Sequence, residues 1–354
     1  MEKKYRVTGL MSGSSMDGVD LACSDFTWDG QKWQYRILQA ETIPYPLEFL
    51  SKLEQACNWK REKIDELDLE LGSHYAELLI TFHQKWTLSP DYIASHGHTI
   101  LHDPGKGITL QAGNGRIMAE KTGITVINDF RSEDVAKGGQ GAPLVPLGDK
   151  LLFSDYEACL NLGGFANISC EDSKGDRIAY DLCPANMALN WVAALEGKSY
   201  DRNGEIARLG MVHSGLLAKL NQLDFYAKKA PKSLGREWFL EQFLPLMQQS
   251  DLDTKDLMAT VLEHIAVQIS TGINEAGIHS LLITGGGALN QTLLNRLKHY
   301  SNASLRIPKE SIIHFKEALI FALLGLLKIR GEVNCLASVT GGREDLSAGT
   351  IHEI

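Results

Sequence analysis

Apolar side chains at Ile64, Leu67, Leu71, Tyr75, Leu78, Phe82 and Trp86 return every three or four positions. That spacing puts them on one face and predicts an amphipathic helix. Leu257, Val261, Ile265 and Ile269 form a second stripe of the same period. Short apolar runs bounded by glycine or polar residues predict strands instead, at residues 5–8, 19–26, 36–43, 91–95 and 125–128. The 91–95 strand is expected to end in the His96-Gly97-His98 loop. After the glycine-rich 137–148 segment, read as a crossing between domains, the pattern starts again. Residues 158–162, 166–170, 177–180 and 281–283 predict strands, the last ending at three glycines. Each half therefore opens on a hairpin with a glycine turn, a weak repetition of pattern rather than of sequence.

At 354 residues the chain predicts two domains, and 44% hydrophobic with 22% charged residues is ordinary for a globular protein. The formal net charge of −9 argues against nucleic acid or an anionic membrane as partner. The start, Met1 to Arg6, shows no apolar signal segment. The longest apolar stretch, 318–327, falls short of the ~20 residues of a membrane span. Six cysteines without a Cys-x-x-Cys pair fit reduced buried thiols better than disulfides or zinc.

Chemistry concentrates in a few places. Between residues 9 and 20, Gly9, Gly13 and Gly18 alternate with Ser12, Ser14 and Ser15, predicting a tight turn whose backbone N–H groups and hydroxyls suit phosphate. An ordinary hairpin turn is the alternative. Asp17 and Asp20 are candidate Mg²⁺ ligands, since that ion takes hard oxygen donors. Asp181 is expected at the rim of a strand, where Pro184 helps to end the extended run, as a general base or as the cap of a helix starting near Pro184. Gly285, Gly286 and Gly287 follow a buried strand and precede a predicted helix, a place where backbone meets an anion or flat ligand, or a plain tight turn. Asp129 and Arg131 suit a lobe-packing ion pair. Glu317 stands before the apolar 318–327 stretch, where a first-turn carboxylate stabilises a helix. His96, His98 and His102 tempt a metal reading, but structural histidines are commoner.

The blocks together resemble a known family. Gly9-Leu-Met-Ser-Gly-Ser-Ser-Met-Asp-Gly-Val-Asp20, Ser95-His-Gly-His-Thr-Ile-Leu-His102, the 129–146 segment, Leu160-Asn-Leu-Gly-Gly-Phe-Ala-Asn-Ile168, Asp181-Leu-Cys-Pro-Ala-Asn186, Pro231-Lys-Ser-Leu-Gly-Arg236, Thr284-Gly-Gly-Gly-Ala-Leu-Asn290 and Glu317-Ala-x-x-Phe-Ala322 follow in order along nearly the whole chain. They resemble the anhydro-N-acetylmuramic acid kinases, sugar kinases of the superfamily that holds hexokinase, actin and the Hsp70 ATPase domain.

The resemblance implies a two-lobed actin-like (ribonuclease H-like) α/β fold, each lobe a mixed sheet flanked by helices, with the active site in the cleft. The lobes are expected at 1–130, with about 335–354 returning to it, and at 131–334. It implies an ATP- and Mg²⁺-dependent kinase in which Asp181 activates water to open the 1,6-anhydro bond of anhydro-N-acetylmuramic acid. O6 then takes the γ-phosphoryl group, giving N-acetylmuramic acid 6-phosphate and ADP in cell-wall recycling. By the same resemblance Gly13, Ser14, Ser15, Met16, Asp17, Gly18, Val19 and Asp20, with Gly163 and Gly164 opposite and Gly285, Gly286, Gly287 and Asn290, hold the nucleotide. His96, Asp129, Arg131, Asn186 and Glu317 contact the sugar, Arg131 suiting its lactyl carboxylate. Lys232 and Arg236 lie near phosphates or substrate, or form a solvated basic turn. A cytoplasmic homodimer is implied too. The chain departs from the family's Asp-Thr-Gly-Pro-x-Asn at Leu182 and Cys183, so a kinase for another amino sugar and a weakly catalytic nucleotide-binding regulator stand as alternatives.

Overall fold

The computed structural model describes residues 3–13, 16 and 18–354. The chain forms two compact units, Met1–Leu152 with Phe315–Ile354, and Phe153–His314. Both are α/β, each a mixed sheet flanked by helices, which is the fold class the sequence predicts.

The first unit begins with the meander β1 (Lys4–Ser12), β2 (Val19–Trp28) and β3 (Trp33–Ile43). Helices α1 (Leu47–Ala56) and α2 (Arg61–Lys85) lead to β4 (Tyr92–Asp103), β5 (Ile108–Ala112), α3 (Gly115–Thr122), β6 (Val126–Asn128), α4 (Ser132–Ala136) and α5 (Val145–Leu152). The second unit repeats the start with β7 (Ala158–Leu162), β8 (Phe165–Glu171) and β9 (Arg177–Pro184). It continues through α6 (Asn186–Ala194), α7 (Ser214–Asn221), α8 (Asp224–Ala227), α9 (Arg236–Trp238), α10 (Leu244–Gln248), α11 (Thr254–Glu275), β10 (Ser280–Thr284), α12 (Gln291–Tyr300) and β11 (Ser304–Arg306). The long helix α13 (Glu310–Ile329), α14 (Ala337–Thr340) and β12 (Thr350–His352) follow.

The two sheets share a topology. In the first, the order β12-β6-β4-β1-β2-β3 has β5 added on β4; in the second it is β11-β10-β7-β8-β9. In each, an antiparallel meander gains a parallel strand beside its first member, β4 on β1 and β10 on β7. The repeated hairpin pattern of the sequence is therefore a repeated topology.

The helical stripes form as their periods require. Ile64, Leu67, Leu71, Tyr75 and Phe82 are buried on α2, while Leu79 takes the inner place and Trp86 stands exposed beyond the helix end. On α11, Leu257, Val261, Ile265 and Ile269 are buried, and Asp253 caps the first turn by accepting from the Asp256 N–H at 2.9 Å. Each such buried aliphatic contributes roughly 1.5–3 kcal/mol, an upper figure because the unfolded chain is not fully extended.

Four expectations need correction. The border lies between residues 152 and 153, so the 137–148 segment belongs wholly to the first unit and is not the crossing. Gly148 on α5 shows why: a Cβ there would stand 2.4 Å from Ile320 on α13, a packing too close for any side chain. The returning segment starts at Phe315 rather than about 335, because the apolar part of α13 packs against β1 and β4. A Cβ on Gly9 would meet the Ala318 carbonyl oxygen at 1.8 Å, and one on Gly325 the Ala94 Cβ at 2.4 Å. Next, β4 and β9 run through the expected loop and rim, since Ser12 pairs with His98 and Phe165 with Pro184. Last, Glu317 lies inside α13, not at its start.

Candidate active site

In the first unit the β1–β2 turn opens with the Met16 N–H donating to the Gly13 carbonyl at 3.1 Å, Met16 taking φ 55°. Gly18 has φ 156°, and a Cβ there would stand 2.7 Å from the Ile43 carbonyl of β3. Val19 begins β2, fully buried and paired with Ser12 and Ile43. Asp20 accepts from the Thr42 hydroxyl at 2.6 Å. Ser14, Ser15 and Asp17 lie outside the described residues. Gly9, counted with the turn from sequence, belongs to β1 and owes its identity to α13.

Beneath the turn runs a buried polar chain that the sequence did not reveal. The Ser12 hydroxyl bonds with the Tyr45 hydroxyl at 2.7 Å and with His98 Nδ1 at 2.8 Å, and Tyr45 with Tyr75 at 2.6 Å. Burial pushes Tyr45 up to about 12 and His98 down to about 4. The available signal was a serine closing β1 one residue before the glycine turn.

The Arg131 guanidinium donates to His96 Nε2 from Nε at 3.0 Å and from the terminal Nη2 at 2.8 Å, and from Nη1 to the Gly141 carbonyl at 2.6 Å. His96 Nε2 is thus the acceptor. Its Nδ1 carries the proton and donates to the Gly97 carbonyl at 2.9 Å, so the ring is neutral with a fixed tautomer. Burial, with Arg131 beside it, holds His96 well below its ordinary value, and burial lowers Arg131 to about 10 against the opposing pull of Glu317. Burial raises the Glu317 carboxyl; Lys316 and Arg131 lower it, and Asp20 raises it further. Lys316 itself pairs with Asp149 at 3.1 Å in the core. The ion pair weighed for Asp129 and Arg131 is not formed: Asp129, at φ 53°, accepts from the Ser132 N–H at 3.3 Å while Arg131 turns to His96. The first unit thus gathers Asp20, His96, Arg131 and Glu317 into one electrostatic group. Among the described residues no three His, Cys, Asp or Glu side chains converge as a metal set, His96, His98 and His102 included.

In the second unit the glycine turns after β7 and β10 share one sheet end, because these strands are parallel neighbours with Thr284 beside Asn161. The Gly163 carbonyl accepts from the Asn186 N–H at 3.0 Å, and the Gly164 carbonyl from Ala185 and Met187 at 2.8 and 3.1 Å. The turn therefore caps α6. Yet a Cβ on Gly164 would meet only the Met187 methyl, at 3.7 Å, so the protein's own packing does not demand glycine there. Gly285 needs its φ of 80° and lies against Asn161 and Leu162, and Gly287 against Leu162. Asn186 donates from Nδ2 to the Leu162 carbonyl at 2.9 Å, and Asn290 caps α12 through the Leu293 N–H at 3.0 Å. Both asparagines thus brace the glycine loops.

Asp181 sits in register with Asn167, which sits opposite Asn161, giving a polar row Thr284–Asn161–Asn167–Asp181 across four strands. Asn161 and Asn167 lie within the Leu160–Ile168 block, and neither is among the residues that the resemblance singles out. Their signal was a polar side chain between buried neighbours on a strand. The Asp181 carboxylate is half-buried and accepts at Oδ2 from the Leu234 N–H at 2.8 Å and from the Ser233 hydroxyl at 3.4 Å. Burial raises its pKa, against the lowering pull of those two donors. A carboxylate raised in this way is a stronger base than a solvated one, and it has one oxygen left to take a proton. It caps no helix: α6 starts at Asn186.

Leu182 turns away from this chemistry, while Cys183, its thiol raised by burial, stays close enough to Asp181 for the carboxylate to raise it further. Leu182 is buried in the apolar core, where a Cβ on Gly272 of α11 would stand 2.5 Å from its Cδ2. Cys183 is fully buried in β9, opposite Ala166, without a left-handed φ. Neither substitution takes a donor or needed backbone freedom from the site.

A family model described as anhydro-N-acetylmuramic acid kinase matches residues 5–353. The protein of that name from Pasteurella multocida is 36% identical over 370 residues, covering 97% of this chain and 96% of its own. The one from Mannheimia succiniciproducens is 35% identical over 99% of both chains, and that from Caldanaerobacter subterraneus 34% over 98% of this chain and 96% of its own.

Proposed function

The chain belongs to the anhydro-N-acetylmuramic acid kinase family, and from that premise we propose that Asp181 is the base of a kinase that opens 1,6-anhydro-N-acetylmuramic acid and phosphorylates it with ATP. The enzyme is a phosphotransferase. Asp181 takes one proton from water as the water oxygen bonds the anomeric carbon. The bond from that carbon to O6 breaks, and O6 bonds the γ-phosphorus as ADP leaves. The products are N-acetylmuramic acid 6-phosphate and ADP, a step of cell-wall recycling.

The observation that carries this reading is the half-buried Asp181, with Oδ2 engaged and in register with Asn167 on a row leading to the glycine loops. Gly164 supports a nucleotide role for the β7–β8 turn, because only an outside ligand asks for its missing side chain. The 285–287 loop, at the same sheet end, adds to the nucleotide contacts of the second unit. Asp20, with Asp17, would hold Mg²⁺, whose charge offsets that building on the transferred phosphoryl group. In the first unit Glu317 and Arg131 are the sugar-facing pair, with His96 fixing the Arg131 fork. Asp129 and Asn186 act through the backbone they brace. The burial of Leu182 and Cys183 favours the family's substrate over another amino sugar. The enzyme is expected to work as a cytoplasmic homodimer, a state that sedimentation would test.

The test is a coupled ADP-release assay with Mg²⁺-ATP and the anhydro sugar, with N-acetylmuramic acid and N-acetylglucosamine in parallel. Turnover is expected with the anhydro sugar. Asp181→Asn is expected to lower kcat by roughly a hundredfold or more while leaving nucleotide binding intact. Turnover only with a ring-opened sugar would remove the water-activating role. Nucleotide binding without turnover on any sugar would favour the regulator.

A further inference from the structure

We propose that Lys232 is a positioning residue for Asp181: it anchors the 231–234 segment so that protein donors hold Oδ2 and Oδ1 alone is left to take the proton. The proposal rests on the reading of Asp181 as the base.

The anchoring is explicit in the bonds. The Lys232 ammonium donates to the Phe225 carbonyl at 3.3 Å and the Tyr226 carbonyl at 3.4 Å, at the C-terminal end of α8. It also stands 4.6 Å from the centre of the Phe225 ring, a cation–π contact. Two of its three protons thus point into the protein, which leaves it poorly placed as a phosphate ligand or a solvated basic residue. Its own carbonyl accepts from the Asp181 N–H at 2.9 Å, binding the segment to β9. Two residues later the buried Leu234 turns its N–H to Oδ2 at 2.8 Å, and the Ser233 hydroxyl reaches the same oxygen at 3.4 Å. No described residue donates to Oδ1. An oxygen already accepting two hydrogen bonds is the weaker proton acceptor, so the choice of oxygen follows from the anchor.

The surrounding titratable groups are few. Cys183 follows on β9 with its thiol raised by burial and by Asp181. Burial lowers Lys232, with Glu275 of α11 opposing and Lys228 adding to the shift. Tyr180, raised to about 12 by burial, precedes Asp181 on β9. Asp181 is the carboxylate that burial raises among these groups, and comparing each variant with the parent enzyme cancels the common contribution of the Glu317 carboxyl, which burial also raises.

The experiment compares Lys232→Met, Lys232→Arg and Ser233→Ala with the parent enzyme and Asp181→Asn. The readouts are kcat/KM against pH, KM for the anhydro sugar, and calorimetric affinity for a non-hydrolysable ATP analogue. Lys232→Met should lower kcat by roughly ten- to a hundredfold, since a small misplacement of a reacting group has effects of that size. Losing donors that favour the carboxylate form should move the acid limb upward by about one pH unit. KM and analogue affinity should stay within about threefold, as expected of a residue that touches neither ligand. Lys232→Arg should recover part of kcat. Ser233→Ala leaves the anchor in place and should move the acid limb upward by less; it also serves as the test if Lys232→Met does not fold. A raised KM or weakened analogue binding with an unmoved acid limb would make Lys232 a ligand and overturn the proposal. An unmoved limb in Ser233→Ala would overturn the assignment of Oδ2. Full activity of Asp181→Asn would instead sink the reading of the base, whatever Lys232 does.

Discussion

Asp181 and Leu182 are neighbours on β9 with opposite surroundings: Asp181 pairs with Asn167 and Cys183 with Ala166, and Leu182 is the extra residue of a bulge between them. Asp181 keeps contact with solvent and the 233–234 donors, whereas Leu182 fills the space that Gly272 leaves open on α11. A residue that differs from the family pattern beside the base is therefore part of the core. Leu182→Thr should destabilise the protein by about 1–3 kcal/mol, because it removes core contacts and buries a hydroxyl without a partner. It should leave KM for the anhydro sugar within twofold. Denaturant unfolding and steady-state kinetics check the two halves of that statement. A large rise in KM with unchanged stability would place position 182 in the sugar site after all.

At the scale of elements, the glycines of the recognised motifs separate into two kinds. Gly9 is glycine because α13 crosses β1 at contact distance, and Gly164 is glycine with almost nothing of the protein beside it. Gly9→Ala should therefore cost roughly 3 kcal/mol or more, since backbone of both β1 and α13 would have to move. Gly164→Ala should change stability by no more than about 0.5 kcal/mol and weaken nucleotide binding instead. Thermal unfolding with and without an ATP analogue tells the two apart. The same packing explains why the 145–152 helix and the long α13 complete the first unit. A stripe of apolar residues shows which face is buried, not which sheet will bury it.

On the scale of the molecule, burial sets the response to acid. Burial holds His83 and His98 at about 4, His264 at about 3 and His96 lower than its ordinary 6.5. Once unfolded, each returns to about 6.5 and binds a proton that the folded protein excludes. Stability is thus complete above pH 6.5 and is lost progressively as pH falls toward the folded values. Asp181 and Glu317, raised by burial, act in the opposite sense but are fewer. Melting temperature should decline steadily from pH 6.5 to 4, as read by circular dichroism. A flat profile would show that these imidazoles gain protons in the fold without penalty.

The amino-acid sequence by itself determined the α/β class, the repeated hairpin start of each half, the two helical stripes and the glycine turns. Those features rest on local periodicity and on residues whose backbone preferences act over a few positions. It also carried Asp181 and its family, because motif order survives without any knowledge of contacts. Only the tertiary structure decided where the border falls, that Arg131 is committed to His96 and Gly141, that Lys232 is an anchor, and that Leu182 belongs to the core. Each depends on partners distant in the chain, such as His96 for Arg131 and Gly272 for Leu182. A sequence states what a side chain can bond, and the fold alone brings it within reach of the one group it does bond.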